Sequence, residues 1–80
     1  MPKRRVHLTF PEDLITQPVI YNMGKRFDVV TNIRRANVEE RVGWVILEIE
    51  GDDDEIERAI GYASDLGVQV AEIEGDVIEG

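Results

Sequence analysis

Three features of this 80-residue sequence predict an α+β fold. Two short runs alternate strictly between apolar and polar residues, one longer run carries apolar residues at helical spacing, and glycine or proline stands near most of the junctions. Val6, Leu8 and Phe10 alternate with Arg5, His7 and Thr9, the period of a strand with one buried face. Pro11 ends that strand, because it has no N–H to give to a ladder. Glu12 to Thr16 reads as a connector. Pro18 suits the first turn of a helix, where a missing N–H costs nothing. Ile20, Met23 and Phe27 then fall at helical spacing, with Gly24 weakening the end of a short helix. From Asp28 to about Arg41 the pattern is extended, rich in the β-branched residues Val29, Val30, Thr31, Ile33 and Val38. Gly43 breaks it. Val45, Leu47 and Ile49 alternate with Trp44, Ile46, Glu48 and Glu50, which predicts a strand paired as an antiparallel hairpin with its predecessor.

Asp52 to Leu66 is the clearest helix, with Ile56, Ala59, Ile60, Ala63 and Leu66 as one apolar stripe. Gly67 stands where a left-handed C-cap is wanted. Asp52 and Glu55 have the spacing of a capping box, and the acids around them favour the positive end of the helix dipole. Val68, Val70 and Ile73 make a last strand, and residues 75–80 are expected to fray. The order is β-α-β-β-α-β. It predicts a ferredoxin-like sandwich, with an antiparallel four-stranded sheet and two helices on one face. The open face of the sheet is then expected to carry His7, Thr9, Trp44 and Ile46. Tryptophan and isoleucine facing water form an apolar patch in need of a cover, which points to self-association.

Composition narrows the function classes. Eighty residues suffice for one domain with a small core, so residues 1–80 are read as a single unit. No run approaches about 18 consecutive apolar residues, and the basic start lacks an apolar stretch behind it, so a cytoplasmic protein with no membrane span is expected. There are no cysteines and one histidine, which excludes disulfides, thiolate catalysis, zinc knuckles and a self-contained iron–sulfur cluster. No cofactor or metal is expected.

The net charge of −8 is unevenly spread. Residues 1–26 carry five Lys/Arg against two acids, and residues 51–80 carry one Arg against ten acids. Such a chain repels phosphate backbones, so nucleic acid is not an expected partner. RNA-binding versions of this fold also stack bases on several aromatics, and the central strands offer only Trp44. Metal-chaperone versions need a Cys-x-x-Cys, which is absent. Pro11-Glu12-Asp13 replaces the phosphate-cradling loop of an acylphosphatase-like site. No nucleophile–base pair remains, and the chain is read as a non-enzyme.

The stretch Thr31-Asn32-Ile33-Arg34-Arg35-Ala36-Asn37-Val38-Glu39 resembles the signature of the NIL domain, named after Asn-Ile-Leu and here reading Asn-Ile-Arg. Leu8-Thr9-Phe10, Gln17-Pro18, Gly51 and Gly67-Val68 fit the same pattern, which spans roughly Arg5 to Ile73. The family is best known as the regulatory tail of methionine-importer ATPases. It also occurs fused to iron–sulfur ferredoxin modules and as small free-standing proteins.

The resemblance implies a non-catalytic regulatory or ligand-sensing module in sulfur metabolism. Its ligand would be methionine or a related sulfur amino acid, held at or near a homodimer interface. The alternative is an interaction module without a ligand, docking on a ferredoxin-type, sulfur-transfer or transporter protein. In the importer tails the asparagine equivalent to Asn32 lies at the bound methionine, so Asn32 is the first expected contact. A carboxamide can meet both an ammonium and a carboxylate. The competing reading has Asn32 bonded to backbone at a strand irregularity. Arg34 replaces the motif leucine; on a regular strand it shares a face with Asn32 and suits a ligand with a second acid group. Ile33, Trp44 and Ile46 are expected to line the wall. Asn37 is read as structural, Glu39 as solvated, Asp52–Glu55 as helix capping and His7 as a surface histidine.

Overall fold

The computed structural model describes residues 2–73. Its elements are β1 (Lys3–Phe10), α1 (Glu12–Ile15), α2 (Val19–Arg26), β2 (Val29–Val38), β3 (Gly43–Gly51), α3 (Asp53–Leu66) and β4 (Gln69–Ile73). The strands form one antiparallel sheet in the order β2-β3-β1-β4, the ferredoxin-like arrangement. The expected fraying of residues 75–80 lies outside the described residues.

The alternation in β1 and β3 decides which way the sheet faces. Val6, Leu8 and Phe10, with Val45, Leu47 and Ile49, all point to the helix side and are buried. Met23 and Val19 from α2, with Ile56, Ala59 and Ala63 from α3, close over them. The alanines let α3 lie close to the sheet. Leu66, placed on the apolar stripe by its spacing, is exposed instead, at the last turn of the helix. Gly67 follows with φ +112, so the left-handed C-cap takes the residue that bears it without strain.

Three local features differ from expectation. The connector after Pro11 forms a single helical turn, α1, whose Leu14 is buried. Asp52 occupies the N-cap position of α3, yet its side chain makes no capping bond. Glu55 does not reach back to it either. Its carboxylate accepts the backbone N–H of Asp28 at 2.9 Å, tying α3 to the entry of β2. That bond, helped by Arg58, holds the Glu55 carboxyl below the ordinary glutamate range. The third feature is a bulge in β2. Ile33 is opposite Leu47 and Arg35 opposite Ile46, so Arg34 has no counterpart on β3.

Gly51 marks a close approach at the other end of the hairpin. A Cβ there would stand 2.9 Å from the Asp28 carbonyl oxygen. Arg4 adds a clasp on the helix side, bonding Glu72 of β4 at 2.9 Å and also Glu57 of α3. Among the described residues no helix is long and apolar enough to cross a membrane.

Candidate functional site

The open face of the sheet is assembled from rows that run across the strands. At one end stand Asn37, Trp44, Thr9 and Gln69, and next to them Arg35, Ile46, His7 and Ala71. The third row holds Asn32, Glu48, Arg5 and Ile73, and the last holds Val30, Glu50 and Lys3. Two halves result. The half with Trp44 and Ile46 carries one charged group, Arg35, while the other half carries two acids and two bases.

Trp44 and His7 stack diagonally across β3 and β1, with ring centroids 5.3 Å apart and planes 19° from parallel. Thr9 Oγ1 lies 3.5 Å from His7 Nδ1. Each of these three side chains is half-buried, as is Ile46, with no helix above them among the described residues. Glu48 is half-buried too, and Arg5 Nε approaches its carboxylate at 3.6 Å. Asn32 stands directly opposite Glu48 and is exposed. No side-chain bond holds Asn32 to backbone among the described residues, and its stretch of strand is regular up to Ile33.

The bulge rearranges the expected site. On a regular strand Arg34 would share the face of Asn32. The inserted residue instead puts Arg35 in the open-face row beside Ile46 and leaves Arg34 at the bulge, exposed. Asn32, Trp44 and Ile46 therefore share the open face, with Arg35 beside them. Ile33 does not join them. It points to the helix side, opposite Leu47, and is 55% exposed. The same shift sends Ala36 and Val38 to the helix side, where they line an apolar groove of about 260 Å³ with Ile33, Phe10, Pro18 and Val45.

The groove escaped sequence reasoning because a one-residue bulge reverses the parity of everything after it. The excess of β-branched residues in a strand longer than its cover was the available signal.

A model of the NIL domain matches residues 4–72. The chain belongs to the NIL domain family. A methionine import ATP-binding protein of Helicobacter pylori is 30% identical over 70 residues, which is 82% of this chain and 21% of that protein. The iron–sulfur subunit of an L-aspartate semialdehyde sulfurtransferase from Methanocaldococcus jannaschii is 35% identical over 71 residues, covering 89% of this chain and 53% of the subunit. The chain thus spans about a fifth of the importer proteins and about half of the sulfurtransferase subunit. A solved structure, the C-terminal domain of an ABC transporter ATP-binding protein from Enterococcus faecalis, superposes with a TM-score of 0.77 at 21% identity. That match covers 91% of this chain and 86% of the solved one, and it shows the same fold. The NIL domain here thus matches segments of larger proteins that serve transport and sulfur transfer.

Proposed function

We propose that this NIL domain is a non-catalytic regulatory module that senses methionine or a related sulfur amino acid at an interface between two copies of itself. One observation carries the reading: Asn32, Ile46 and Trp44 share a sheet face that no helix covers among the described residues. Asn32 supplies a neutral group able to donate and accept, suited to an amino acid's head. Ile46 and Trp44 supply apolar wall. The relatives that import methionine favour this ligand class.

The second copy follows from shape and charge. The domain is a slab of 34 × 30 × 16 Å, so its open face exceeds the roughly 800 Å² per partner of a standard interface. That face carries Lys3, Arg5 and Arg35 against Glu48 and Glu50, on a chain of net charge −8. The near balance of charge there lets two acidic copies meet with little repulsion. A ligand seated there stabilises the paired state in proportion to its preference for it. A cytoplasmic setting suits such a sensor.

Thermal melting with L-methionine, homocysteine, S-adenosylmethionine and acidic amino acids tests the reading, with oligomer size followed in parallel. Saturation at about 100 times the dissociation constant adds roughly 2.7 kcal/mol of stability. Asn32→Ala should weaken binding by about 1–3 kcal/mol. Absence of any shift at millimolar concentrations rejects the sensor.

The iron–sulfur subunit among the relatives favours a second reading, in which the module docks on a ferredoxin-type or sulfur-transfer partner without a ligand. Any cluster would then belong to the partner, since this chain has no cysteine. Recovery of such a partner by pull-down, lost in Trp44→Ala or Arg34→Glu, would decide for it.

A further inference from the structure

We infer that Arg35 and Glu48 are the charged contacts of the sensed amino acid, Arg35 for its carboxylate and Glu48 for its ammonium group. This rests on the amino-acid reading above and names the groups that would select an α-amino acid over other small metabolites.

The β2 bulge is the starting point. It removes Arg34 from the register and gives the open-face position beside Ile46 to Arg35. Glu48 is two residues further along β3 on the same face, directly opposite Asn32. Asn32, Arg35 and Glu48 therefore occupy adjacent rows of one strand pair: a neutral amide, a cation and an anion. An α-amino acid head needs those three kinds of group. Its carboxylate takes two parallel bonds from a guanidinium, its ammonium donates to a carboxylate, and an amide serves either.

The side chains are placed to receive a ligand. Arg35 is exposed and makes no ion pair among the described residues. Glu48 is half-buried and meets Arg5 through one nitrogen at 3.6 Å, leaving acceptor capacity on its carboxylate. Arg5 stands beside that carboxylate on the neighbouring strand. Ile46 lies between Glu48 and Trp44 on the same face of β3, so a side chain attached to the head would run toward the apolar half.

The test is calorimetric titration of the full chain with L-methionine and two truncated probes. One is 4-(methylthio)butanoate, which lacks the amine; the other is 3-(methylthio)propylamine, which lacks the carboxylate. The unaltered protein should bind L-methionine and take each probe about 10–100 times more weakly, the loss expected for one charged hydrogen-bonded contact. Arg35→Ala should bind L-methionine no better than the amine probe, with partial recovery in Arg35→Lys. Glu48→Gln should show the mirror result against the carboxylate probe. Arg34→Ala should match the unaltered protein. Melting curves of each variant check that it is folded.

Unchanged L-methionine affinity in folded Arg35→Ala and Glu48→Gln overturns the assignment while leaving the sensor intact. Loss of binding in Val38→Glu, with Arg35→Ala unaffected, would also overturn it and place the ligand in the groove. If neither L-methionine nor another amino acid binds the unaltered protein, the sensor and this assignment fall together.

Discussion

The two faces of this sheet are made from the same strands and obey opposite rules. On the helix side Val6, Leu8, Leu47 and Ile49 are sealed under α2 and α3 in an apolar core, with the Arg4 clasp at its margin. On the open side Trp44, His7, Ile46 and Glu48 are half-buried among the side chains of their own face. The first face carries stability, because it removes apolar area from water within one chain. The second stays available for a ligand or a second copy. Alternation along β1 and β3 lets each residue serve one task without disturbing the other, since neighbours in sequence point to opposite faces.

If that division holds, damage to the two faces should differ in kind. Leu47→Ala on the sealed face should cost about 2–5 kcal/mol, read from denaturant unfolding, through lost burial and the cavity left behind. Gly51→Val should come next, at about 1–3 kcal/mol, because the new Cβ meets the Asp28 carbonyl oxygen at 2.9 Å. Trp44→Ala should cost less folding stability than Leu47→Ala, with the lost stack on His7 accounting for about 0.5–1.5 kcal/mol of it. Its main effect should appear in sedimentation and ligand titration. A Trp44 variant that unfolds as readily as Leu47→Ala would erase the distinction.

The smallest effect is expected from Glu55→Gln and is best read from pH. The Asp28 N–H lowers the Glu55 pKa in the folded chain, so folding favours the ionised form. That contribution is present above the ordinary glutamate range and is lost as pH falls through the lowered value. The stability curve of Glu55→Gln should therefore be flatter on the acid side. An identical acid limb would mean that the α3–β2 tie adds nothing.

How far the sequence revealed these faces depends on the range of the interactions involved. The parity of β1 and β3 was legible, because alternation is written residue by residue, and it correctly put His7, Thr9, Trp44 and Ile46 on the open side. The boundaries of α3 were legible from Asp52 and Gly67. The partner of Glu55 was not, because Asp28 is 27 positions away and only folding brings it near. The short turn α1 was read as a connector, since four residues carry no period. An irregularity in β2 is among the sequence readings, at Asn32, but its place between Ile33 and Arg35 is not legible. Nothing in Ile33-Arg34-Arg35 says which arginine is inserted, and a regular strand assigns Arg34 to the face that Arg35 occupies.

The bulge also bears on how this protein avoids aggregating with itself. β2 is an outer strand ten residues long, with Val30, Ile33 and Val38 exposed. A flat outer strand of that composition is a template on which foreign chains can add in register, the first step toward fibrils. An inserted arginine in the middle twists the edge and interrupts the row of N–H and C=O groups such growth requires. A chain with Arg34 deleted would present an unbroken edge, and its solubility would be expected to fall well before its fold was lost.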